Sequence, residues 1–363
     1  MLDRTGRYLG RYAPWATGSH MIRAQHLIGA SKWQEALAEL RQSVANAPID
    51  SKPLGKLGFT AAQTGNEALA EQVFTLTGQL GWRDTLTQLY YVKLGLNAGA
   101  WEVVGTRLDA LLRVSPDLPL IAPLLQETLS TEEGIQALAD KAKGNPPWIK
   151  SFATGISDLP VDVLNNRFEV IKRSGGVGLT CRDVTFFTNQ LLAGGLVDQA
   201  SSLWSIVCPP RTSLIYDGQL KRVMEPERQA EISRYQGFDW TVALRGDVEV
   251  AAVPDPDGPG ALSLHNAASM RQAVLRQRIA LPPGNYDLSW AMPGTPARSI
   301  KSVSITAGCQ MDQSGAVPPK PIDGSNRLGV TFSVDPGCRL IMLTFWLAPQ
   351  SEVTVADVKL TKN

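Results

Sequence analysis

Apolar residues recur at helical spacing through the first half of the chain and alternate in short runs, broken by glycine and proline, through the second. The change of period falls in Pro209–Trp240, which therefore reads as a domain junction. The pattern predicts an α+β multidomain protein: an all-α helical-repeat solenoid, then an all-β jelly-roll sandwich. The expected parts are an N-terminal extension over 1–20, the solenoid over 21–208, a tether over 209–213 and the sandwich over 214–363. Residues 18–21, Gly-Ser-His-Met, also spell a common cloning remnant, which would set the residues before Met21 outside the fold.

Self-comparison of the helical half shows a period of 34 residues. Ser31, Gly65 and Gly99 share it, as do Ala36, Ala70 and Val104, and Leu40, Phe74 and Leu108; Pro48, Trp82 and Pro116 mark where each run stops. Small residues suit a close helix crossing and large ones its groove. The pattern resembles the tetratricopeptide repeat in period, small-residue positions and terminal proline, although Gly105 interrupts a helix and no repeat carries the whole signature. Further helices are predicted at Leu120–Leu129, Glu132–Ala142, Pro147–Gly155, Val161–Arg173, Arg182–Leu192 and Leu196–Val207. The resemblance implies a solenoid with a surface for a peptide or protein partner. Arg41, Arg107, Arg113, Lys141 and Lys143 alternate with glutamates, which reads as a solvated face and not as an anion site.

Strands are expected at Phe238–Leu244, Val248–Val253, Ala261–His265, Gln272–Leu281, Gly284–Trp290, Ser299–Thr306, Arg327–Val334, Arg339–Leu347 and Glu352–Thr361. Leu214–Leu220, then Gly237-Phe238-Asp239-Trp240, then Gln277–Tyr286, then the closing Val355–Leu360 resemble the jelly rolls of carbohydrate-binding modules of the family 4/9 type. The resemblance makes Leu214–Leu220 a first strand and implies a glycan contact. Candidate platforms are Trp240, Tyr286, Trp290 and Trp346, with Asp239, Gln277 and Asp287 as polar partners; Trp290 and Trp346 are the better expected to be exposed. Asp217 and Asp357 are the oxygen donors for a structural Ca²⁺ of the kind such modules can hold; no other cofactor is expected. The short tether makes the cleft beside Tyr216, Tyr235 and Trp240 a further candidate, with Lys221–Gln236 as a charged loop.

A formal net charge of +1 argues against nucleic acid as a partner, and no apolar run is long enough for a transmembrane segment. Cys181 with Cys208, and Cys309 with Cys338, fall at matching levels of neighbouring elements and could each close a disulfide. That favours a periplasmic or envelope location, with the cytoplasm following if the thiols are reduced. Three histidines without metal-ligand spacing, no phosphate loop and no nucleophile elbow point away from an enzyme. The expected function is a non-enzymatic envelope scaffold: repeats hold a protein partner and the jelly roll contacts a polysaccharide, as in exopolysaccharide or surface-polysaccharide assembly. A pure protein-interaction scaffold and a glycan hydrolase are the alternatives.

Overall fold

The computed structural model describes residues 17–208, 213–224, 237–242, 246–253, 260–294, 301–309, 317–322 and 327–363. Its architecture is α+β in two parts: helices as far as Val207, antiparallel sheets from Thr241. By contacts the chain divides into two compact units, Met1–Ile149 and Lys150–Asn363, ahead of the change from helix to strand. The last helices therefore belong with the sheets.

Unit 1 is built from helix hairpins. α1 (Thr17–Gly29) pairs with α2 (Trp33–Asn46), α3 (Ser51–Gln63) with α4 (Glu67–Leu80), and α5 (Thr85–Ala98) with α6 (Trp101–Val114). Successive hairpins begin 34 residues apart, at Thr17, Ser51 and Thr85. Side-chain caps start several of these helices: Asp50 accepts from the Lys52 amide, Asn66 from Leu69 and Asp84 from Thr87. Ala36, Leu40, Ala70, Phe74, Val104 and Leu108, the periodic positions within the second helix of each hairpin, are all buried. α1 begins ahead of Met21: Ser19 is buried and the Glu39 carboxylate lies 2.7 Å from His20 Nδ1, so residues 17–20 are part of the first hairpin. α7 (Ile121–Leu129) and α8 (Glu132–Ala142) follow, with α8 against α6.

After α9 (Ile149–Thr154) come α10 (Val161–Ser174), α11 (Cys181–Ala193) and α12 (Val197–Val207), in one unit with the sheets. The strands are β1 (Thr241–Val242), β2 (Val248–Val253), β3 (Ala261–Asn266), β4 (Gln272–Ala280), β5 (Gly284–Ala291), β6 (Val303–Gly308), β7 (Lys320–Pro321), β8 (Arg327–Val334), β9 (Leu340–Leu347) and β10 (Ser351–Lys362). They form a four-stranded sheet, β1-β4-β9-β6, and a six-stranded sheet, β2-β3-β10-β5-β8-β7. From β3 onward the chain steps from one sheet to the other at almost every connection, as in a jelly roll. Alternation puts Leu288 and Trp290 of β5, Leu343 and Phe345 of β9, and Val353 and Val355 of β10 into one core.

Leu214–Leu220 is not a strand. It is a chain of turns, with Asp217 and Leu220 at positive φ, that meets β10 through two backbone bonds, Leu214 to Leu360 and Val358 to Gly218. A Cβ at Gly218 would lie against the Val358 carbonyl, so this approach needs a glycine. Cys181 is disulfide-bonded to Cys208, and Cys309 to Cys338, with Cα separations of 5.1 and 5.6 Å. The first bond joins the start of α11 to the end of α12.

Candidate functional site

The aromatic residues singled out for sugar binding lie in the interior. Trp240 is 3% exposed, Tyr286 and Trp290 are 0%, and Trp346 is 8%. Trp240 and Trp290 both meet Phe345 edge to face in the sandwich core, and the Trp240 indole donates to the Asp217 carbonyl at 3.1 Å. Tyr286 donates its hydroxyl to the Pro282 carbonyl and stacks on Phe332. Trp346 points the other way from Phe345 along β9, yet Arg271 covers its ring and its indole donates to Thr306 at 2.9 Å. None of these rings offers a free face to a sugar. Period-2 alternation says which residues share a face, and the face shared by Tyr286, Leu288 and Trp290 is the inner one.

The polar candidates are similarly committed. Asp239 is buried beside Arg222, and Gln277 is buried with its amide donating to the Tyr216 carbonyl at 2.6 Å. Asp287, on the outer face of the six-stranded sheet, accepts from Thr331 at 2.6 Å. Of the calcium donors, Asp217 accepts from the backbone amides of Lys221 and Arg222, and Asp357 is paired with Arg327 and Lys359. Burial pushes the Asp217 carboxyl up despite these amides. Burial also raises Asp357, but hydrogen bonds from Lys359 and Arg327 outweigh it and hold the group below its ordinary value. Asp357 is thus already paired with two cations, and among the described residues no group of three or more histidine, cysteine, aspartate or glutamate side chains is placed to hold a metal ion. Tyr216 and Trp240 are buried, and Tyr235 lies outside the described residues.

Unit 1 carries exposed aromatic chemistry as well, in the repeats expected to hold a protein partner but at residues the sequence did not single out for binding. A cleft of about 420 Å³ opens between α5 and α6, lined by Trp82, Tyr91, Leu94, Val103 and Arg107 among others. Trp82, Leu94 and Val103 are 49, 48 and 40% exposed. Asp84 caps α5 and so sets the turn that carries Trp82. Tyr91 lies on Gly78 of α4, where a Cβ would come within 2.8 Å of the ring, and its hydroxyl donates to the Phe74 carbonyl. The Arg107 guanidinium sits over Trp82 at 4.0 Å and Tyr91 at 4.4 Å and donates to Gln88 at 3.1 Å. Burial lowers its pKa from the ordinary arginine value. One signal for this site was visible beforehand: Trp82 stands where the neighbouring repeats place Pro48 and Pro116, and an aromatic ring in a terminating turn has no helical core to enter.

Unit 2 carries a second, polar cleft of about 330 Å³ between α12 and the sandwich, lined by Asp198, Ser201, Ser202, Ser205, Pro282 and Arg339 among others. Arg339 crosses it to Asp198 at 2.6 Å, both side chains being exposed.

No protein-family model and no curated protein matches the chain. Among solved structures, the enzymatically active domain of bacteriophage CBA120 tailspike protein 4 is 14% identical, with a TM-score of 0.27 over 44% of this chain and 23% of that one. The module TmCBM61, solved with β-1,4-galactotriose, is 16% identical, with a TM-score of 0.20 over 34% of this chain and 88% of that one. The chain thus spans about a quarter of the tailspike domain and most of the smaller module.

Proposed function

We propose that the protein is a non-enzymatic, extracytoplasmic interaction protein whose tetratricopeptide-like hairpins hold a partner polypeptide in the α5–α6 cleft. The observation carrying this reading is the clustering of Trp82, Leu94 and Val103, each at least 40% exposed, around one cleft. Single exposed apolar side chains are ordinary, whereas a contiguous group rimmed by polar residues marks a binding surface. The two disulfides support an oxidising compartment. Peptide display selection on the full chain, counter-selected on a Trp82→Ala, Leu94→Ser variant, tests it. The expected yield is apolar-rich peptides that lose at least tenfold in affinity for that variant while its melting temperature holds; peptides binding both proteins equally would remove the cleft from the account.

A polysaccharide contact by unit 2 is the second reading, and the polar cleft favours it. Serine hydroxyls and an exposed Asp198–Arg339 pair lie beside Leu281 and Pro282, which sets polar groups next to apolar carbon as sugar rings require, although Ser201 and Ser205 already bond the Tyr216 hydroxyl. A bacterial-glycan array compared with Arg339→Ala distinguishes this from a pure protein scaffold, which would bind no glycan.

A further inference from the structure

Arg107 is held in place without an anionic partner among the described residues. The rings of Trp82 and Tyr91 take up the guanidinium's π surface, leaving its in-plane N–H edge for hydrogen bonds. Nη1 donates to Gln88, an uncharged acceptor that is itself 1% exposed. Among the described residues Arg107 makes no ion pair, in contrast to Arg113, which pairs with Asp109, and Arg23, which pairs with Glu39. Glu102 lines the same cleft, is exposed, and does not pair with it. A cation fixed by two rings and an amide, beside the exposed Leu94 and Val103 and with Glu102 elsewhere in the cleft lining, is complementary to a carboxylate flanked by apolar groups.

We propose that the α5–α6 cleft takes a polypeptide segment in which an aspartate or glutamate side chain lies beside a large apolar one, the carboxylate meeting Arg107 and the apolar group resting on Trp82, Leu94 and Val103. The proposal rests on the interaction reading above and names its partner's chemistry. Three exposed apolar side chains offer more surface than a small free acid would cover, which favours a segment of chain over a metabolite. Partial burial disfavours the charge on Arg107, and an arriving carboxylate offsets that penalty.

The test uses the full chain and two end-capped peptide libraries, one with glutamate and one with glutamine fixed at the centre, flanked by degenerate apolar positions. A third library carries glutamine at the centre and a free C-terminal carboxylate, to separate a side-chain acid from a chain end. The glutamate library is expected to bind about tenfold tighter than the capped glutamine one, the scale of one charge-assisted hydrogen bond. Arg107→Ala should abolish that difference, Arg107→Lys should restore part of it, and thermal melting checks that both variants fold. Equal binding of glutamate and glutamine libraries, still lost in Trp82→Ala, would overturn the acidic partner while leaving the interaction reading intact. Preference for the free-carboxylate library, or a glutamate preference that survives Arg107→Ala, would also overturn it. Self-association of the wild type that disappears in Arg107→Ala would make a second copy the occupant and overturn it as well. Failure of every library to bind in a Trp82-dependent way would sink both readings.

Discussion

Replacing Cys181 and Cys208 together by serine removes the covalent tie between the start of α11 and the end of α12. The two positions are 27 residues apart. Closing a loop of that length in the unfolded chain corresponds to about 3.5 kcal/mol at 25 °C on the chain-entropy account. Trp204 is fully buried in α12 and packed edge to face on Tyr216 and Phe238, so its emission contributes to the unfolding signal of the nine tryptophans together with that of the buried Trp240, Trp290 and Trp346 of the same unit. With a urea m-value of about 3 kcal/mol/M, the transition midpoint should fall by about 1.2 M. Wild-type protein in excess reductant loses the Cys309–Cys338 bond as well and should fall at least as far as the double variant. A midpoint that stays within about 0.2 M of the oxidised wild type would refute the reasoning that this bond stabilises unit 2, since that shift corresponds to well under 1 kcal/mol.

Trp290→Ala, which empties a fully buried site beside Phe345, should cost about 3–5 kcal/mol, whereas Trp82→Ala on the surface should cost under about 1 kcal/mol; urea unfolding of the two variants separates a core role from a platform role. The Asp84 carboxyl is raised chiefly by burial, against hydrogen bonds from Thr87. The folded state therefore binds this proton more tightly than the unfolded chain, so its contribution favours folding at low pH and is lost as pH rises through the folded-state pKa. Asp84→Asn, which keeps the cap on Thr87, should flatten that part of the pH profile in denaturation series run between neutral and acidic pH. An unchanged slope would refute it.

The repeat was legible because its signal is redundant: every 34 residues the same small and large positions recur, and Ala36, Ala70 and Val104 all proved buried. The cysteine pairs were legible because each sits at matching ends of adjacent elements. Strand positions were also readable from alternation, with Val248–Val253 and Arg327–Val334 matching in full. The site was not. Which face of a strand is covered depends on what packs there from elsewhere in the chain, so Tyr286 and Trp290 could be placed on one face without showing that the face is inward. Trp346 shows the same limit in sharper form, because it does face away from the core and is covered by Arg271 all the same. Arg107 was read as one charge in a mixed-sign helix face, and only the fold brings Trp82 and Tyr91 onto it.

Hydroxyl-radical footprinting of the full chain, with and without a peptide recovered by display, tests the central claim most directly. The account predicts that oxidation at Trp82, Leu94 and Val103 falls several-fold on binding while the pattern over the sandwich is unchanged. Undiminished oxidation at Trp82 under saturating peptide, or protection confined to residues 241–362, would contradict it.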